Sequence, residues 1–223
     1  MYTLTTAQKA YSSWSLRGWL LFDAFGIPVE ERLVRLYQPE FTEMTVEKAP
    51  AQTVPILEWE EDGRRLRLWE SLAIAETLAE RHPEAGLWPD QPAHRAVARV
   101  VAAEMHAGFA EIRDKCPMNL HREGTPRPDP TDALHRDVAR AGELWSWALA
   151  ETGGPWLGGP RFSVADVFMA PLATRLVSYG LLDERTEAYA GQLLAHPSIK
   201  RWIEAAKADP ERIAYYEDIP AVG

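Results

Sequence analysis

Three serines crowd the stretch KAYSSWSLRGWLLF, at positions 12, 13 and 15, beside Trp14 and Arg17 and just ahead of a run with helical patterning. One serine at a helix start is an ordinary cap, because its side-chain oxygen accepts a bond from a free N–H of the first turn. A cap accounts for one hydroxyl and leaves the others over. Two further places carry groups able to grip a ligand. In AQTVPILEW, Pro55 opens a strand and cannot donate to the ladder, so it belongs to an edge or to a strand's first residue. If the Val54–Pro55 bond is cis, the chain turns sharply and Val54 offers its own N–H and C=O to an extended, peptide-like molecule lying alongside as an added strand. A trans Val54–Pro55 bond is the default on frequency alone. Glu70 and Ser71 stand where the last strand meets the following helix. Ser71 reads as a helix cap, the free N–H groups of that turn suit a carboxylate, and Glu70 suits an amine.

The elements that must position these residues alternate over the first eighty positions. YTLTT is a short strand, and a helix follows over 15–26, with Leu16, Trp19 and Leu20 on one face. Gly26 and Pro28 end it. VEERLVRLY reads as a second strand, and residues 40–51, broken by Pro50, as an irregular helical turn. TVPILEWEEDGRRLRLWE is a hairpin around Asp62–Gly63, and ESLAIAETLAERH is a helix ending before Pro83. Strand, helix, strand, hairpin and helix predict a small mixed sheet covered by helices.

Residues 83–93 read as a Pro-rich linker between an α/β domain over 1–82 and an all-α domain over 94–223. In the second domain Val97, Val100, Val101, Met105, Phe109 and Ile112 fall on one helical stripe, and Leu134, Val138, Ala141, Trp145 and Ala148 on another. REGTPRPDP separates them as a loop. Residues 163–180 are apolar nearly all round, as in a helix buried on every side, with Pro171 placed to kink it. Shorter helices follow around 185–195 and 198–208. Ser163 and Asp166 have capping-box spacing and read as structural.

Composition narrows the function classes. Hydrophobic residues make up 46% of the 223, enough for a packed core. Against 24 basic side chains stand 33 acidic ones, a net charge of −9, which argues against nucleic acid as a partner. The single cysteine, Cys116, permits no internal disulfide and no multi-cysteine zinc site. No apolar run is long enough to cross a bilayer and the N-terminus has no signal-peptide core, so a soluble cytoplasmic protein without metal is expected.

Together these pieces resemble the glutathione S-transferase family. The resemblance rests on the Ser-rich turn entering the first helix, TVP opening a strand, ESLAI entering the next helix, and WLGGPRFSVADVFMAP in the all-α half, and runs from about residue 2 to 210. It implies a thioredoxin-like N-terminal domain, a cis-proline at Pro55, a helical C-terminal domain and a homodimer. SSWSLR and APAQTVPIL are most similar to the zeta class, which includes maleylacetoacetate isomerases. Two positions depart from that class: Trp14 stands where its members carry cysteine, and Glu70 where they usually carry glutamine. A zeta-like transferase joining glutathione to a small hydrophobic electrophile is therefore expected. Isomerisation and a non-catalytic glutathione-binding module are the alternatives. A thiol-disulfide reductase is disfavoured, since serines stand where that chemistry needs Cys-x-x-Cys.

The resemblance assigns roles. A hydroxyl at the helix start favours the thiolate of glutathione, which is the nucleophile. One charge-assisted hydrogen bond supplies about 1.5–3 kcal/mol, against about 1.4 kcal/mol for each unit of thiol pKa lowered. Ser12 is the first candidate and Ser13 the second; Ser15 caps the helix or supports its first turn. Val54, beside Pro55, would bond the cysteinyl backbone. Glu70 and Ser71 would hold the γ-glutamyl end, and Gln52 and Thr53 would face the tripeptide. The electrophile would sit between the domains near Trp14, Met105, Phe109 and Arg113. Arg113 is a candidate to attract an acidic substrate or to form a surface ion pair. His106 lies off the stripe and reads as solvated, and Cys116 as a bystander.

Overall fold

The computed structural model describes residues 1–122 and 131–217. Most of the loop expected over 122–130 lies outside them. The chain opens with β1 (Tyr2–Thr6), α1 (Ser13–Asp23), β2 (Val29–Leu33) and α2 (Pro39–Glu47). The hairpin β3 (Ile56–Glu61) and β4 (Arg64–Trp69) and the helix α3 (Ser71–Arg81) complete this part. The four strands form one sheet in the order β2-β1-β3-β4. β1 runs parallel to β2 and antiparallel to β3, as the strand–helix–strand order predicts. Asp62 and Gly63 both take positive φ, 49° and 72°, which is the two-residue turn that a D-G dipeptide favours.

Side-chain alternation splits the sheet into two faces. Tyr2 and Leu4 of β1 and Leu57 and Trp59 of β3 face the main core, with Leu16 and Leu20 of α1 and Ile74 and Leu78 of α3. Ile56 faces a smaller cluster with Val34, Met44 and Val54, beneath α2. Where an irregular turn was expected over 40–51, α2 is a regular helix. Pro39 sits in its first turn, where a missing N–H costs nothing, and Pro50 lies beyond its end. The expected helix over 15–26 begins and ends earlier, at Ser13 and Asp23, because Ser12 rather than Ser15 occupies its N-cap.

A 3-10 turn (Pro83–Ala85) leads to a helical half: α4 (Pro92–Ala107), α5 (Ala110–Lys115), α6 (Asp132–Thr152), α7 (Val164–Ser178), α8 (Glu187–Leu194), α9 (Pro197–Ala208) and α10 (Ala214–Glu217). The first expected stripe is not one helix. Gly108 turns extended and Phe109 adopts a left-handed φ of 59°, so the chain restarts as α5. Val100, on that stripe, is exposed. α7 is the central buried helix, packed against α4, α1 and α8. Its start is held by the capping box: Asp166 accepts bonds from Ser163 N (2.8 Å), Ser163 Oγ (2.9 Å), Leu157 N (2.9 Å) and Tyr189 Oη (2.7 Å). Four donors satisfied at a fully buried carboxylate keep the end of this helix from carrying orphan groups. Pro171 lies inside α7.

Candidate functional site

A cleft of about 820 Å³ opens where the start of α1, the segment before β3, α5 and the last turns of the chain meet. Ser12, Ser13 and Trp14 form one wall, Gln52, Thr53 and Val54 a second, and Arg113 and Arg175 lie on the helical side. Residues 40 positions apart in sequence are thus brought together as expected. The backbone explains the second wall. Pro55, joined to Val54 by a cis bond, packs against Gly18 of α1 so closely that a Cβ there would lie 2.7 Å from the proline Cβ and Cγ. Only a residue without a side chain lets α1 approach this strand start.

The three serines divide their bonds. Ser12 caps α1: its Oγ accepts from Ser15 N at 3.3 Å and donates to Ser15 Oγ at 2.8 Å. Ser15 Oγ also accepts from Ala7 N at 2.9 Å, tying β1's end to the helix start. Ser13 Oγ accepts from Arg175 Nη2 at 3.1 Å. Both Ser12 and Ser13 are nearly buried, at 7% and 8% exposure, at the edge of the cleft.

Two guanidiniums and an imidazole gather around Trp14. The guanidiniums of Arg17 and Arg113 lie 4.6 Å and 5.1 Å from its ring centroid, and His106 meets it edge-on at 5.3 Å. Such contacts are worth about 0.5–2 kcal/mol each. Arg17 is buried, also faces Phe168, and its Nε and Nη1 find no hydrogen-bond partner among the described residues. Burial first, then repulsion from Arg113 and Arg175, holds its pKa well below the usual arginine range. Among the described residues Arg113 forms no ion pair, one of the two roles open to it in sequence; its guanidinium donates to the carbonyls of Met105 and His106. His106 is half-buried rather than solvated, with Nε2 3.6 Å from Glu70 Oε2. Burial depresses its pKa, Glu70 opposes that shift, and Arg17 and Arg113 add to it.

Glu70, Ser71, Met105 and Phe109 do not line the cleft. Met105 and Phe109 belong to the core, because the chain turns at Gly108 and carries Phe109 inward. Glu70 caps α3 by position with φ 62°, while Ser71, expected as the cap, is the helix's first residue. The Ser71 Oγ is fully buried and unpartnered among the described residues. Cys116 is buried and burial pushes its thiol up to about 12, so it stays neutral.

Several wall residues carried no signal in sequence. Tyr11 stacks on Tyr216 at 4.9 Å, and its hydroxyl donates to Glu217 Oε1 at 2.8 Å, closing the cleft's end with α10. Arg175 did leave a trace: it is a lone cation in the apolar run VADVFMAPLATRLVS, where burial demands partners.

Residues 11–81 match the family model described as the glutathione S-transferase N-terminal domain. Over 200 residues the chain is 26% identical to pyrimidodiazepine synthase of Drosophila melanogaster, covering 88% of this chain and 74% of that one. Glutathione S-transferase GstB of Escherichia coli K12 is 29% identical over 164 residues, 72% of each chain. Among solved structures, maleylacetoacetate isomerase from Anaeromyxobacter dehalogenans 2CP-1, with glutathione in its active site, superposes with a TM-score of 0.69 at 25% identity, over 95% of this chain and 97% of that one. Another structure of that isomerase holds dicarboxyethyl glutathione and citrate in the active site.

Proposed function

We propose that this chain, which carries a glutathione S-transferase N-terminal domain and that family's fold, is a transferase that activates the glutathione thiol through the Ser13 hydroxyl. One observation carries the choice of serine. Ser12 spends its hydroxyl inside the helix turn, against Ser15 N and Ser15 Oγ, whereas the partner of Ser13 is the Arg175 guanidinium, which can only donate and so leaves the Ser13 proton for a ligand. The sulfur then sits at the start of α1, where the helix dipole also favours an anion. Val54 pairs with the cysteinyl backbone, Gln52 and Thr53 flank the tripeptide, and Ser71 and Glu70 take the γ-glutamyl carboxylate and amine. A homodimer in the cytoplasm, divided near residues 83–93 and acting on small hydrophobic electrophiles in detoxification, belongs to the same reading.

The test is turnover of glutathione with a generic electrophile. Ser13→Ala is expected to lower kcat/KM by about ten- to a hundredfold, the loss of one hydrogen bond to a charged group. Ser12→Ala is expected to act mainly on stability. Equal turnover in wild type and Ser13→Ala overturns the assignment.

A specific observation favours a second reading of the electrophile as an acid, open to conjugation or to cis–trans isomerisation. Two guanidiniums, Arg113 and Arg175, stand on the cleft wall. The neighbouring isomerase that holds citrate and dicarboxyethyl glutathione is consistent with this. Small dicarboxylates should then inhibit competitively against the electrophile, and Arg113→Ala should weaken that inhibition about tenfold or more. Uncharged analogues inhibiting equally well would exclude it.

A further inference from the structure

Arg175 lies on α7, is buried, and spends its guanidinium on neutral oxygens. Nε donates to Cys116 O at 2.9 Å, Nη1 to Pro171 O at 3.1 Å and Nη2 to Ser13 Oγ at 3.1 Å. The charged and titratable groups around it include Arg17, Arg113, the Cys116 thiol and the phenols of Tyr179 and Tyr216. Burial, then Arg113, lowers its pKa to about 10, which leaves it a cation at neutral pH. Among the described residues no carboxylate forms an ion pair with it, and a desolvated cation without a counter-ion is expensive. Because the guanidinium has no acceptor, the bond to Ser13 runs one way, and the serine proton must point elsewhere. The three fixed donors suit arginine alone, since a lysine ammonium cannot hold that fork.

We propose that Arg175 is a positioning residue for thiol activation: it turns the Ser13 proton into the cleft and sets a fixed positive charge behind that hydroxyl. The acidity of the bound thiol is then set partly from the helical half of the chain. The charge stands one hydroxyl away from the sulfur in a largely buried site, where screening is weak. The capping box at Ser163 and Asp166 anchors the helix that delivers it, and the packing of α7 on α1 brings the two ends together.

This rests on Ser13 being the hydroxyl that meets the sulfur, and the test separates the two ideas. The readout is the titration midpoint of protein-bound glutathione, followed by ultraviolet thiolate absorbance in wild type, Ser13→Ala, Arg175→Gln and the double variant. Arg175→Gln is expected to raise the midpoint by about one unit, a tenfold loss of thiolate below it. The double variant should rise no further than Ser13→Ala alone, the mark of coupled groups. If Ser13→Ala raises the midpoint and Arg175→Gln does not, or if their effects simply add, Arg175 plays no such part. If Ser13→Ala leaves the midpoint unchanged, the serine reading itself fails and takes this proposal with it. Should Arg175→Gln not fold, the guanidinium nitrogen resonances of wild type carry the test. They should shift through the thiol's midpoint and cease to do so in Ser13→Ala; resonances that ignore the thiol overturn the proposal.

Discussion

At the scale of single residues, the site is a division of labour among hydroxyls that differ little in sequence and greatly in partners. Ser12 and Ser13 are adjacent and almost equally buried, yet one closes a helix cap and the other meets a guanidinium from α7. Ser12→Ala is therefore expected to cost about 1 kcal/mol of stability, the usual worth of an N-cap, with most turnover retained; urea denaturation beside steady-state kinetics checks it. Ser15 is a third case, a hydroxyl buried in the first turn that holds the end of β1. The sequence marked all three as candidates from type and spacing. Resemblance to the zeta class placed Ser12 ahead of Ser13, and nothing local in the sequence reports that Ser12 meets Ser15 while Ser13 meets Arg175.

Among the elements, α1 and the strand start at Pro55 form the hinge point of the site. Gly18 sits in the helix interior, where glycine usually weakens a helix, and is retained because Pro55 occupies the space of its Cβ. Gly18→Ala should push Pro55 and Val54 away from α1. The expected results are a loss of about 1–3 kcal/mol by denaturation and a several-fold weaker glutathione affinity by calorimetry. A variant as stable and as tight as wild type would show that the contact does not position Val54. Regular elements with strong local signals were legible: the D-G hairpin, α3 ending before Pro83, the capping box and the all-apolar α7. The break at Gly108 was not, because the apolar spacing runs through it unchanged while the backbone turns.

For the whole molecule, the junction of the sheet half and the helical half carries both the cleft and much of the pH response. Three histidines have lowered pKa values, each first through burial: His106 beside Glu70 and Trp14, His121 beside Tyr11 and Arg212, and His196 stacked on Phe162. Histidines whose folded pKa lies below the unfolded value bind more protons when unfolded. Their contribution is intact above about pH 6.5 and is lost as pH falls toward the folded values. The melting temperature should therefore fall between pH 7 and pH 5.5, and His196→Asn, which removes one of the three, should make that fall shallower. An unchanged slope would show that His196 does not share in it. Sequence alone determined the strand, helix, strand, hairpin and helix order of the first part and the buried helix of the second, because caps, turns and periodic apolar faces act over a few residues. Only the tertiary structure decided which partner each hydroxyl meets, which aromatic residues line the cleft, and that Arg175 reaches Ser13. Those outcomes depend on side chains up to 206 positions apart meeting across packed elements, a distance over which no local pattern reports.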